Sequence, residues 1–342
     1  MYYSPWKAVH HMDKIEQLRD GKMITPVLLK IIPTNRCNRK CHFCWEAEAN
    51  QQYKETLETE IIMKLLKDFG ELGGKAVELA GGGEPTVHPD FKLIIDTIRE
   101  MGFELGMPTN GLGLSEDIID SLSFATWIRV SVNAYSKEVY KEVSKVEPPS
   151  EDMYRLLCKK VQGVVGASFV ITEKNYHEIL DFAIWAKDIG FDHVRFTPFR
   201  LGNRISQSLT DIWKECEQLM EKAEKLSDDN FRVITIANRY VAKEGLVQPI
   251  HYLDTAVKDF DCCHLQQFNA CVWTTGDVLP CVENRVNMET SYGNLYEKSF
   301  KEIWENRQLL DVKECKLSCL YYNTNKFLSY LTQPQPPHVN FV

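Results

Sequence analysis

Three cysteines within eight residues carry the most specific chemistry in this 342-residue chain: Cys37-Asn38-Arg39-Lys40-Cys41-His42-Phe43-Cys44. Thiolates spaced this closely face one point when the backbone wraps a soft metal centre. Four thiolates complete an iron–sulfur cube, whereas three leave one iron open to a further ligand. Phe43 places an aromatic ring beside that open position. A zinc site completed by His42 or by a distant cysteine is the competing reading. Zinc motifs usually pair their cysteines as Cys-x2-Cys, and a lone triplet after an apolar run matches that poorly. A second stretch, Gly81-Gly82-Gly83-Glu84-Pro85, is a turn on its own terms. Its glycines also let a ligand approach the backbone closely, and Glu84 offers a carboxylate to an ammonium group.

The elements around these stretches alternate. Pro26 to Pro33 reads as a buried strand that delivers the chain to the cysteine loop. Ile62, Leu65, Leu66 and Phe69 form one face of a helix, as do Phe91, Ile94, Ile95 and Ile98. Further strands are expected at 76–80, 103–107, 127–132, 164–171 and 193–197, with helices over 115–123, 136–161 (broken at Pro148-Pro149) and 176–189. Strands alternating with helices predict a parallel sheet with right-handed crossovers. Six units rather than eight predict a partial (β/α)6 TIM-like barrel. The glycine-, proline- and asparagine-rich segments all follow strands, at the end where such barrels gather their active sites.

The cysteine triplet and the Gly82-Gly83-Glu84 motif together resemble the radical S-adenosylmethionine (radical SAM) enzymes, over residues 26 to about 200. The resemblance implies that Cys37, Cys41 and Cys44 hold a [4Fe–4S] cluster, with S-adenosylmethionine (SAM) on the fourth iron. It also implies that Gly82, Gly83 and Glu84 hold the amino group of SAM, with Phe43 beside the cluster. Thr109-Asn110-Gly111 resembles the family's TNG turn. Ser131 and Asn133 match a strand end that often reads Ser-x-Asp, with polar groups at the ribose or carboxylate of the cofactor. Here Asn133 stands where aspartate is common, which leaves hydrogen bonding but removes a charge. A polar strand end without direct contact is the alternative for both residues.

From Asp211 the alternation stops. Residues 211–260 read as a helical linker, followed by a cysteine-dense segment with Cys262, Cys263, Cys271, Cys281, Cys315 and Cys319. Cys271 to Cys281 has the form of a hairpin about Gly276. Cys263-x12-Gly276-x4-Cys281 and Gly293-Asn294-Leu295 resemble SPASM or twitch extensions, which carry auxiliary iron–sulfur clusters. Lacking a Cys-x2-Cys, the segment is expected to hold one cluster, on Cys263, Cys281, Cys315 and Cys319. A zinc knuckle with the same four ligands is the competing reading, and Cys262 or Cys271 could replace Cys263. Cys262 and Cys271 are also candidate hydrogen donors to a substrate radical. Cys158 and Cys216 read as core thiols, and the histidines at 10, 11 and 88 as structural. The expected domains are an N-terminal extension (1–22), the barrel (23–210), the linker (211–260), and the auxiliary module (261–342), whose end from Tyr322 is expected to be an extended, proline-rich tail.

A net charge of −8 speaks against a nucleic-acid surface. No apolar run approaches the ~18–20 residues of a membrane span, and the N-terminus lacks a signal-peptide pattern. A cytoplasmic protein is expected, in which eleven cysteines point to metal ligands rather than disulfides. The expected cofactors are SAM and two [4Fe–4S] clusters, with flavodoxin or ferredoxin as electron donor. The expected activity is hydrogen abstraction from a small molecule, such as a sugar or nucleotide sugar, and its oxidation with help from the auxiliary cluster. A peptide-modifying enzyme, a cysteine-dependent epimerase, and a non-catalytic iron–sulfur or zinc scaffold are the alternatives.

Overall fold

The computed structural model describes residues 5–44, 54–201, 204–235, 240–243, 246–249, 258–282, 290–315, 319 and 321–333. The strands of its main sheet are β1 (Leu28–Ile31), β2 (Ala76–Leu79), β3 (Glu104–Thr109), β4 (Trp127–Ser131), β5 (Val164–Ile171) and β6 (His193–Pro198), then β7 (Arg232–Thr235), β8 (Asn269–Val272), β9 (Asp277–Leu279) and β10 (Gly293–Asn294). β1 to β6 run parallel in chain order. Alternation along each strand sends Leu29, Ile31, Val77, Leu79, Ile128, Val130, Val165 and Ala167 outward into the core shared with the helices. The faces predicted from their helical spacing, Ile62 to Phe69 and Phe91 to Ile98, are the buried faces of helices Thr59–Glu71 and Phe91–Glu100. The prolines at 148 and 149 separate helices Lys137–Ser144 and Glu151–Lys160.

Both free edges of this six-stranded sheet are extended. Within the expected linker, helix Trp213–Glu224 buries Trp213, Cys216, Met220 and Ala223. The chain then returns as β7, parallel to β6 with His193 opposite Arg232 and Phe196 opposite Thr235. A seventh β/α unit thus continues the barrel where the sequence reads only as a helical linker. At the other edge, β8 lies parallel to β1, with Leu28 opposite Asn269 and Ile31 opposite Val272. β9 and β10 follow antiparallel. The expected hairpin therefore forms, with Gly276 at φ 86° in its turn, and it is built into the barrel sheet.

Below the N-terminal ends of the strands, the segment from Pro5 to Arg19 packs against helix Tyr322–Thr332 through Ala8, Ile15, Phe268 and Leu328. The tail expected to be extended from Tyr322 is instead helical over Tyr322–Thr332, where it packs against the N-terminal segment, and its proline-rich part from Pro334 onward lies outside the described residues. Among the described residues, no helix is long and apolar enough to cross a membrane.

Candidate active site

The cysteine loop leaves the C-terminal end of β1 under tight control. Residues 55–57 run beside the chain's exit: Asn35 N donates to Glu55 O and Leu57 N to Pro33 O, both at 2.9 Å. Thr34 and Thr56 share a hydroxyl hydrogen bond of 2.8 Å. Farther along, Lys40 N and His42 N donate to the carbonyls of Ser144 and Val143, at the end of helix Lys137–Ser144. Between Cys37 and Cys41, Arg39 is only 6 % exposed. Its guanidinium donates to Ser131 O at the end of β4 (2.6 Å) and to the Asn110 carbonyl and the Tyr140 hydroxyl. Arg39 thus ties the loop to the ends of β3 and β4, a role that the cysteine spacing does not announce. Burial raises the pKa of the Cys37 and Cys41 thiols, while Arg39 opposes the rise. Deprotonation at this loop is therefore coupled to metal binding.

The Gly81–Glu84 turn lies against the entrance of that loop. Gly83 N donates to Thr34 O and Glu84 N to Arg36 O. A Cβ on Gly82 would collide with Asn35 Oδ1, and one on Gly83 with the Arg36 carbonyl, so only glycine allows this approach. Asn35 Oδ1 is buried without a hydrogen-bond donor, an acceptor open to a ligand at this cradle.

Glu84 does not present a bare carboxylate. Its oxygens accept from Thr109 Oγ1 (2.6 Å), Asn110 N (2.6 Å) and Thr86 Oγ1 (2.8 Å), and the residue is 3 % exposed. Burial pushes its pKa up and these donors pull it back. In this geometry Glu84 joins the β2 turn to the end of β3. Asn110, set by that bond, turns its side-chain amide to Asn38 Oδ1 (2.6 Å), with Cys37 Sγ 3.9 Å away.

At the end of β4, the Ser131 hydroxyl accepts from Ser168 Oγ at 3.4 Å. Asn133 adopts φ 69°, the left-handed conformation that asparagine tolerates. Its Oδ1 accepts from Val170 N at 2.8 Å, and with 2 % exposure it shapes the turn after β4. Phe43 stands edge-on to His42 and to Phe199 beyond β6, with ring centroids 5.4 and 6.4 Å apart. His88 is structural: Nε2 lies 2.9 Å from Leu57 O, and Nδ1 accepts from Asp90 N.

The distal cysteines gather elsewhere. Cys263, Cys271, Cys281, Cys315 and Cys319 line one cavity of about 60 Å³, together with Lys30, Tyr321 and Asn325; Cys262 is not among its walls. Asn325 was invisible in the sequence as a site residue. It is fully buried, and its amide lies 3.4 Å from Cys263 Sγ and 3.8 Å from Cys319 Sγ, while its Oδ1 accepts from Leu265 N. Burial pushes the Cys263 thiol up to about 11. Lys30, in the floor, pairs with Glu78 at 3.0 Å and donates to the Tyr321 hydroxyl. No three His, Cys, Asp or Glu side chains among the described residues close on a single-ion point. A cluster distributes its thiolates over several irons and needs no such point. Five soft donors around a cavity several times larger than one water needs fit that kind of group.

Comparison with known proteins agrees with this arrangement. Residues 31–198 match the Radical SAM superfamily and residues 262–323 the Iron-sulfur cluster-binding domain called SPASM. A "Tungsten-containing aldehyde ferredoxin oxidoreductase cofactor-modifying protein" of Pyrococcus furiosus is 25% identical over 313 residues, covering 80% of each chain. A "Probable GTP 3',8-cyclase" of Saccharolobus islandicus is 28% identical over 231 residues, 64% of this chain and 72% of that one. In fold, the chain is similar to Streptococcus suis SuiB bound to S-adenosylmethionine (TM-score 0.64, 17% identity, 90% of this chain and 73% of that one). It is also similar to anSMEcpe with bound AdoMet (TM-score 0.58, 17% identity, 88% and 85%). Loop, glycine turn and the cavity's cysteines fall within the two matched regions, and the chain belongs to the radical SAM superfamily as a SPASM-domain enzyme that works with S-adenosylmethionine and a [4Fe–4S] cluster.

Proposed function

We propose that the enzyme removes a hydrogen atom from an unactivated C–H bond of a small molecule and oxidises the product radical, with an auxiliary [4Fe–4S] cluster in the cysteine-lined cavity. The observation that carries this reading is the meeting of the Cys37–Cys44 loop, the Gly81–Glu84 turn and Asn110 at the C-terminal ends of β1, β2 and β3. When bound, the cluster and SAM supply the reductive cleavage that yields a 5′-deoxyadenosyl radical. The chain supplies everything around it. Cys37, Cys41 and Cys44 hold the first cluster, and Gly82 and Gly83 let the methionine end of SAM approach the backbone. Glu84 and Thr109 fix Asn110 against Cys37, and Arg39 keeps the loop closed on β3 and β4. Phe43 covers the cluster and Ser131 presents a hydroxyl to the lumen. Cys263, Cys281, Cys315 and Cys319 are the ligands of the second cluster, and the electron comes from a donor of the flavodoxin or ferredoxin kind.

A small-molecule substrate is supported by the two sequence relatives, one named for modifying a cofactor and the other for GTP. One observation favours a second reading: five thiols line a cavity for which four are needed. Buried Cys271 would then return a hydrogen atom to the substrate and make the enzyme an epimerase. Sugars and nucleotide sugars deuterated at single carbons test the proposal. Deuterium should appear in 5′-deoxyadenosine, with an oxidised product. Deuterium transfer from peptides alone would overturn the small-molecule assignment. An epimer that acquires solvent deuterium, lost in Cys271→Ala, would select the second reading.

A further inference from the structure

We propose that Asn325 is a positioning residue that sets the reduction potential of the auxiliary cluster, by donating its side-chain N–H groups to the sulfurs of Cys263 and Cys319. The proposal rests on the reading above for one point only, that a cluster occupies the cysteine-lined cavity.

The surroundings of the Asn325 amide fix its orientation. Oxygen and nitrogen of such a group are told apart by their partners. Leu265 N is a donor, so the amide atom 2.9 Å from it is the oxygen. The nitrogen therefore faces Cys263 Sγ at 3.4 Å and Cys319 Sγ at 3.8 Å. Its two N–H groups meet two sulfurs. Asn325 is fully buried, so water does not compete for these donors. The residue is also held firmly. It lies on helix Tyr322–Thr332, one turn before Leu328, which packs with Ala8, Ile15 and Phe268. Its anchor, Leu265, opens the short helix Leu265–Phe268 two residues after Cys263, so one bond fixes the amide and the Cys263 segment together.

The effect on potential follows from charge. Reduction adds a negative charge to a cluster already made negative by its thiolates, and burial opposes that addition. N–H groups aimed at the ligand sulfurs stabilise the added charge and raise the potential. Two further polar side chains of the cavity wall are directed elsewhere. Lys30 pairs with Glu78 at 3.0 Å, which offsets its charge. Gln266 donates from Nε2 to Leu310 O, and its Oε1 accepts from Leu310 N and the Tyr292 hydroxyl. The Asn325 amide, in contrast, is aimed at the sulfurs, and at Cys263 and Cys319 rather than evenly at all four ligands. A higher potential favours electron uptake in this cavity.

The test uses full-length, anaerobically reconstituted enzyme, with the reduced clusters followed by EPR as the potential is varied. Added SAM alters the signal of the first cluster, which identifies the SAM-insensitive signal as the auxiliary one. Asn325→Leu removes the donors, and Asn325→Asp removes them while keeping an acceptor for Leu265 N. Each should shift the auxiliary reduction equilibrium about tenfold or more toward the oxidised form, about 59 mV lower for one electron, and leave the first cluster unmoved. A second measurement needs no folded Asn325→Leu. Wild type carrying 15N in its asparagine side chains should show a 15N coupling in pulsed EPR of the reduced auxiliary signal, and Asn325→Asp should lose it. The proposal is overturned if wild type lacks that coupling, or if Asn325→Leu titrates as wild type does. Loss of the auxiliary iron from Asn325→Asp would mark a purely structural role and equally overturn it. Absence of any SAM-insensitive signal from wild type would overturn the auxiliary-cluster reading and this proposal with it, whereas such a signal with an unshifted potential in the variants overturns this proposal alone.

Discussion

At the residue scale, the site depends on side chains that fix the ligands as much as on the ligands. The cysteine triplet and the glycine turn were legible because their spacing serves one kind of chemistry. Arg39 was not, since a charged residue in a polar loop ordinarily reads as solvated, and only the fold brings Ser131 O and the Asn110 carbonyl within its reach. Glu84 was legible for its carboxylate, but not the fact that this carboxylate also meets Thr109, Asn110 and Thr86. That outcome depends on how closely β2 and β3 end together, which no local pattern encodes. Arg39→Met strips donors from two carbonyls. It should cost about 3 kcal/mol and lower bound iron by about four per chain, measured by denaturation and by iron assay. Arg39→Lys, able to reach one carbonyl, should retain part of both. Unchanged iron in Arg39→Met would contradict the clamp.

At the scale of elements, the first six strands were legible because each is an apolar run bounded by glycine, proline or asparagine. β7 was hidden: it is four residues long, and Arg232 and Thr235 break its apolar character. Only pairing with β6 makes it a strand. β8 was recognised as one arm of a hairpin, but its parallel pairing with β1 joins residues about 240 apart, a distance over which sequence pattern carries no signal. The lumen face of β4 to β6 has a measurable consequence. His193 is held near pKa 4 against an ordinary 6.5 by burial, with Arg129 and Arg195 adding to it. Between those values the unfolded chain binds a proton that the folded chain does not, so stability rises with pH and is complete above 6.5. The window is worth about 3 kcal/mol. His193→Gln should flatten the difference in denaturation free energy between pH 4.5 and pH 7 relative to wild type; an identical slope in both proteins would refute it.

At the scale of the molecule, the sheet continues from the barrel through β1 into β8, β9 and β10. Lys30 of β1 stands opposite Cys271 of β8, so one strand pair forms both barrel wall and cavity floor. This continuity places the cysteine-lined cavity at the edge of the lumen, a position from which a second cluster can serve a substrate held inside. Reconstituted wild type should carry about eight irons per chain and Cys281→Ala about four, whereas Cys262→Ala, outside the cavity, should keep about eight. About four irons in wild type would remove the second cluster. The central claim is more direct still: Cys37, Cys41 and Cys44 hold a cluster that cleaves SAM. Anaerobic enzyme given SAM and dithionite should release 5′-deoxyadenosine, and Cys41→Ala should release none. Absence of the nucleoside from wild type, or an equal yield from Cys41→Ala, would contradict the account.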